Sequence, residues 1–143
     1  MDVAIGSAVE DKRLPDLLEL FRSAWWTADR GADEVAQMLQ QSDIITVLTD
    51  RPTNRLVGFA RVLTDYTYVA LVLDVVVSEA HRGSGLGARL LDAVVHHPAL
   101  ATVRSLELVC QPELVPFYRQ WGFTDEVGRS LLMRRTSDAR LTT

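Results

Sequence analysis

Val75-Val76-Val77-Ser78-Glu79-Ala80-His81-Arg82-Gly83-Ser84-Gly85-Leu86-Gly87-Ala88 decides how this chain is built. An apolar, β-branched run ends at Val77, a short polar loop covers 78–81, and Leu86, Leu90, Leu91, Val94 and Val95 follow at helical spacing. The pattern predicts a buried strand that passes through a glycine-rich turn into an amphipathic helix. The first amides of such a helix have no acceptor inside it, and the helix dipole is positive there. Glycines remove the side chains that would hold an anion away from those amides. The expectation is a cradle for a pyrophosphate, with Arg82 at its lip.

Gly83, Gly85 and Ala88 also satisfy the dinucleotide-binding fingerprint, with Glu107 near the distance of a ribose-binding acid. The position of the turn argues against that assignment. It lies past the middle of the chain, too little chain follows for a second mononucleotide half, and Glu107 falls inside the apolar run Leu106–Val109. The plain alternative is a glycine-rich turn that binds nothing.

Outward from this stretch, 143 residues suit one domain with a real core. We expect it to span 1–136, with 137–143 as a polar tail. Apolar residues at 48% and charged residues at 24% are ordinary for a soluble globular protein. A net charge of −4 gives no electrostatic case for nucleic acid. Residues 1–10 lack a basic-then-apolar leader pattern, and no apolar run approaches a membrane span. The single cysteine, Cys110, excludes an internal disulfide framework and suits the cytoplasm. It reads as a small buried residue rather than a nucleophile, and His96-His97 has no zinc-site spacing, so no metal is expected.

Val3, Ile5 and Val9 suggest a first strand. Leu14, Leu17, Leu18, Phe21 and Trp25 form a helical stripe, with Pro15 in its first turn. After a break at 26–31, Asp33 is the expected cap of a second helix carrying Val35, Met38 and Leu39. Strands follow at 44–48 and 56–64, antiparallel across the short turn 50–54. Asp65-Tyr66-Thr67 turns again into a long fourth strand, 68–77, apolar on both faces apart from Asp74 and therefore central. After a helix at 84–96, a fifth strand at 103–110 runs parallel to the fourth through a right-handed crossover. Pro112 opens a helix at 112–121 that Gly122 stops, and 131–134 reads as a last antiparallel strand. The class is α/β (α+β): one domain, a mixed and mostly antiparallel sheet, helices on both faces, and a splayed parallel pair formed by the fourth and fifth strands. A cofactor would enter where that pair parts.

The string at 82–87, together with Pro116-Phe117-Tyr118-Arg119-Gln120-Trp121-Gly122-Phe123, resembles the GCN5-related N-acetyltransferase (GNAT) superfamily. The first matches its Arg/Gln-x-x-Gly-x-Gly/Ala acetyl-CoA loop and the second its Phe-Tyr-x-x-x-Gly-Phe motif. Gly58–Asp65 and Asp74–Val77, with Trp26, Arg30 and Ser42, are similar to a small bacterial GNAT group and to the plastid and cyanobacterial serotonin-type acetyltransferases. The resemblance implies acetyl-CoA as cosubstrate. Backbone groups of Val75, Val76 and Val77 would hold its pantetheine arm like an added strand. Arg82, Gly83, Ser84, Gly85, Leu86, Gly87 and Ala88 would surround its pyrophosphate, and Tyr118 would be the catalytic proton donor.

An alkylammonium, with a pKa of roughly 10, must lose a proton before it attacks, and a departing thiolate gains from a donor. Relatives that carry a base on the fourth strand place it at positions matching Leu71 or Leu73. Strand alternation puts Asp74 on the opposite face from both. A carboxylate in that strand still needs a partner: Arg61, a hydrogen bond to a neighbouring loop, or a substrate ammonium. Trp26 is the candidate wall of an acceptor site, with Asp65 and Asp74 as its candidate polar contacts. Asp65 also suits an ordinary turn. The function expected is acetyl transfer to a primary amine, a small aryl- or alkylamine. The alternatives are a protein lysine or N-terminus as acceptor, and a non-catalytic acyl-CoA sensor. The partners implied are acetyl-CoA and the amine, with no nucleic acid and no membrane, and a homodimer is compatible with them.

Overall fold

The structure is a computed structural model and describes residues 1–142. It falls into two compact units, Met1–Cys110 and a second that begins at Gln111.

The first unit is built on a sheet of β1 (Val3–Gly6), β2 (Ile44–Asp50), β3 (Arg55–Thr64), β4 (Val69–Val77) and β5 (Ser105–Glu107), in that spatial order. The first three pairings are antiparallel and the last is parallel; the antiparallel β2–β3 and parallel β4–β5 pairs are the ones expected. The two hairpin turns are held by short-range side-chain hydrogen bonds. Asp50 accepts from Thr53 Oγ1 at 2.6 Å, and Asp65 Oδ1 accepts from the amides of Thr67, Tyr68 and Val69 at 2.9, 2.7 and 3.1 Å.

Helices α1 (Leu14–Phe21) and α2 (Ala32–Gln41) cover one face, and α3 (Leu86–Val95) covers the other. Leu17, Phe21 and Val35 pack on Val47, Phe59 and Val76, while Leu86, Leu90 and Val94 pack on Leu48, Val62 and Val72. The apolar stripe of α1 stops at Phe21. Trp25 lies beyond the helix end and is 45% exposed, so it does not continue the buried stripe. The cap of α2 is Gly31 rather than Asp33, because Glu34 Oε1 accepts from the Gly31 amide at 3.2 Å. Val9 falls outside β1 and packs against the α1 side.

The fifth strand is three residues long rather than the eight of 103–110, because the ladder with β4 ends at the Leu71–Glu107 pair. Val103 and Leu108 flank it and still pack on the core.

In the second unit, a 3-10 turn at Pro112–Leu114 leads into α4 (Val115–Arg119), shorter than the expected 112–121. Phe117 stacks edge-on with Tyr118 at 5.1 Å and lies 4.9 Å from Trp121, and Tyr118 meets Phe123 at 6.1 Å. The strand expected at 131–134 does not form. Leu131 and Met133 are 87% and 92% exposed, and their unit contains no described strand to pair with them. A four-residue apolar stretch is a strand only through its neighbours.

Candidate active site

The turn before α3 has the form that its glycines predict. Gly83 and Gly85 take left-handed φ values of 83° and 81°, and a Cβ built on either would meet nothing within 4 Å. Gly85 is the N-cap of α3, and no side chain caps the helix. Arg89 makes the return bond to the Gly85 carbonyl at 3.2 Å, so the amides of Leu86, Gly87 and Ala88 come before any intrahelical acceptor. Space, open amides and the positive end of a ten-residue helix fit a pyrophosphate. Ser84 Oγ donates to the His81 carbonyl, and Arg82 donates to the Ser23 carbonyl, so its guanidinium reaches toward the chain after α1.

The edge of β4 leads into that turn. Beyond Leu71 it has no β5 partner. Ser78 donates to the Val57 carbonyl at 2.9 Å, which makes Phe59–Val76 the next hydrogen-bonded pair along the antiparallel ladder. The backbone groups of Val75 and Val77 therefore point away from β3, along the open edge. A pantetheine arm, with its two amides, needs an edge of this kind.

A bulge sets this phase. The β3–β4 register shifts between Phe59 and Arg61, opposite Leu73 to Val76, and Asp74 there has a φ of +53°. Before the bulge, Ala70 and Val72 face α3. After it, Val75 and Val77 pack on that side, and Val76 turns to α1 and α2. Unbroken alternation would have put 74 and 76 with 70 and 72, so the expected placement of Asp74 is corrected. It shares the α1/α2 face with Leu71 and Leu73. A left-handed aspartate costs about 1–3 kcal/mol and persists only where its surroundings hold it.

Arginines hold Asp74. Arg30 donates from Nη1 to Oδ2 at 2.7 Å and from Nη2 to Oδ1 at 3.0 Å, and Arg61 Nε donates to Oδ2 at 2.6 Å. The Asp74 side chain is 5% exposed. Burial pushes its pKa up, but hydrogen bonds and charge from Arg30 and Arg61 more than reverse this, leaving it below the ordinary carboxylate value. Two guanidiniums on one carboxylate give the cluster a net charge of +1.

The loop from 22 to 31 brings Arg30 into place. Thr27 is fully buried, and its Oγ1 donates to the carbonyls of Phe21 at 2.6 Å and Ala24 at 3.3 Å. Arg30 lies 5.6 Å from the Phe21 ring centre and 3.7 Å from Met38 Sδ. Trp26 packs partly on the α1/α2 core, edge-on to Trp25 at 5.8 Å. The structure thus brings the Trp26 loop and Asp74 together through Arg30. Asp65 stays at the β3–β4 turn, four residues before β4 begins, with its carboxylate on three amides. Those amides hold its pKa below the ordinary value. Tyr118 is buried in the aromatic cluster of the second unit.

Arg30 was not assigned to Asp74 from the sequence. Its partner lies 44 residues away, and the only signal was that a carboxylate in an apolar strand demands a cation. A cleft of about 730 Å³ opens between α1, the β2–β3 turn and the loop 78–81, lined by Asp16, Glu19, Arg22, Arg55 and His81. Its charges pair with one another, Arg55 with Asp16 at 3.2 Å and Arg22 with Glu19 at 3.5 Å.

The profile described as "Acetyltransferase (GNAT) domain" matches residues 15–132. The chain belongs to the GNAT family. It is an N-acetyltransferase, similar to an uncharacterized N-acetyltransferase, ycf52, of Porphyra purpurea: 31% identical over 119 residues, or 82% of this chain and 68% of that one. It is also 32% identical over 105 residues to glucosamine 6-phosphate N-acetyltransferase 1 of rice, covering 69% of this chain and 64% of that protein. Among solved structures, a putative GNAT acetyltransferase of Xanthomonas campestris pv. campestris superposes with a TM-score of 0.80 at 27% identity, over 100% of this chain and 99% of that one. No helix among the described residues is long and apolar enough to cross a membrane.

Proposed function

We propose that this GNAT enzyme transfers acetyl from acetyl-CoA directly to a small primary amine with an aromatic or apolar body. One observation carries the cosubstrate assignment: the edge of β4 that is unpaired past Leu71 and runs into the two left-handed glycines before α3. In this reading the backbone of Val75–Val77 takes the pantetheine arm, and Arg82–Ala88 takes the pyrophosphate. The amine nitrogen attacks the thioester carbon, the C–S bond breaks, and the ammonium proton leaves to a base or water. Tyr118 gives its proton to the departing thiolate, as the family motif implies.

Trp26 supports an aromatic acceptor, since an indole face attracts both a ring and an ammonium. A second acceptor class is favoured by the net positive cluster at Asp74: an amine that also carries an anionic group, of the kind in the name of the rice relative. Turnover with acetyl-CoA, followed as free thiol, tests both across tryptamine, phenethylamine, spermidine, a lysine peptide and glucosamine 6-phosphate. The aromatic reading expects tryptamine or phenethylamine to lead in kcat/KM and Trp26→Ala to lower that lead. A tenfold lead by spermidine or the peptide would overturn it, and a lead by glucosamine 6-phosphate would establish the second class.

A further inference from the structure

Asp74 has features that a strand residue rarely combines. It sits mid-strand in the left-handed region, its side chain is nearly sealed from solvent, and both carboxylate oxygens are bonded by arginines from two different parts of the fold. Arg61 is on β3, where its ladder partner is Leu73, the residue before Asp74. Arg30 comes from the loop between α1 and α2 and is itself braced on Phe21 and Met38, one from each helix. Immediately after Asp74 the strand changes phase, and Val75 and Val77 present their backbone to the open edge.

Without the bulge, the alternation of β4 would run on unbroken from Val72. Val75 and Val77 would then turn their backbone groups toward β3, and Val76 would face outward. The amides and carbonyls offered to an extended ligand would shift by one residue, as any one-residue slip in a strand requires. Aspartate tolerates the left-handed region without favouring it, and the contacts that hold it there are the arginine bonds to its side chain.

We propose that Asp74 is a positioning residue: the Arg30–Asp74–Arg61 clamp locks the bulge and so fixes which backbone groups of β4 meet the pantetheine arm. This rests on the acetyl-CoA reading above. It gives Asp74 no contact with the acceptor and makes Arg30 the link between the acceptor-side loop and the cofactor edge. The glycine cradle at 83–88 lies outside the clamp, so the two halves of coenzyme A should respond differently when the clamp is broken.

The test uses two ligands measured by calorimetry on folded protein. One is acetyl-CoA. The other is adenosine 3′-phosphate 5′-diphosphate, the half of coenzyme A that lacks the pantetheine arm. Asp74→Gly keeps the left-handed backbone accessible and removes the clamp. Asp74→Asn keeps both shape and backbone tolerance but loses the charge. The expected result is a loss of about tenfold or more in acetyl-CoA affinity for Asp74→Gly, a smaller loss for Asp74→Asn, and unchanged affinity for the nucleotide half, since lost preorganisation weakens only contacts made at the edge. Arg30→Gln, which leaves Asp74 in place, should show the same selectivity and covers the case in which Asp74→Gly does not fold. Unchanged acetyl-CoA affinity in the variants that fold, or an equal loss of both ligands, overturns the proposal. Failure of the wild-type protein to bind acetyl-CoA would instead overturn the cosubstrate reading on which it rests.

Discussion

Arg30 Nη1 lies 2.7 Å from Asp74 Oδ2, joining the loop after α1 to the bulged middle of β4 across 44 residues of chain. The pair, completed by Arg61, ties the structural cost of a left-handed aspartate to the charge of the loop that carries Trp26.

Stability should depend on Asp74 and on pH. Its folded pKa is lowered, so its contribution is fully present above the unfolded carboxylate value and is lost as pH falls through the folded value. Asp74→Asn should destabilise the protein by about 1–3 kcal/mol near neutrality, since it leaves two partly exposed guanidiniums side by side without the carboxylate they share. The gap from wild type should narrow as pH falls below the unfolded carboxylate value and close once Asp74 is protonated in the folded protein. Urea denaturation of both proteins at pH 7 and at pH 3 checks this. A gap that stays constant with pH would mean that the charge is not what stabilises.

Thr27 anchors the loop that delivers Arg30. Thr27→Val keeps the volume and removes the donor to the Phe21 and Ala24 carbonyls. Each carbonyl keeps a backbone donor, Ala24 N–H for Phe21 and Thr27 N–H for Ala24, so the loss is that of the hydroxyl's own bonds, about 0.5–1.5 kcal/mol, visible as a lower Tm. An unchanged melting curve would show that water or another donor replaces the hydroxyl.

Much of the fold was legible because its signals are local. The apolar stripes, the turn residues at 50–54 and 65–67, and the glycine turn at 83–87 each act within a few residues, and the β2–β3 and β4–β5 pairings followed from a short connection and one crossover. What was not legible depended on partners distant in sequence. A bulge at Asp74 leaves no mark on composition, and it reversed the face assigned to that carboxylate. Leu131–Arg134 has the composition of a strand, but composition does not supply a neighbour to pair with. Asp33 was a good cap by type, yet Glu34 reached back to Gly31 instead. The candidate site divides the same way: the cradle could be read from one stretch, the clamp only from three.

Tyr118→Phe keeps the ring that packs on Phe117 and Phe123 and removes only the proton. If Tyr118 protonates the leaving thiolate, kcat should fall by about 10² to 10⁴ while acetyl-CoA affinity stays near wild type. Steady-state kinetics with an accepted amine, beside calorimetry with acetyl-CoA, separates the two. An unchanged kcat would make Tyr118 a packing residue.

The acetyl-CoA assignment rests above all on the glycine turn before α3 as the seat of the pyrophosphate. Gly85→Asp tests it directly. Aspartate is among the residues best able to adopt the left-handed backbone there, and its Cβ meets nothing within 4 Å, so the fold should survive while a negative charge enters the cradle. Calorimetric titration of acetyl-CoA into wild type and folded Gly85→Asp should show saturable binding to the first and none to the second. Equal affinity for the two proteins would contradict the account.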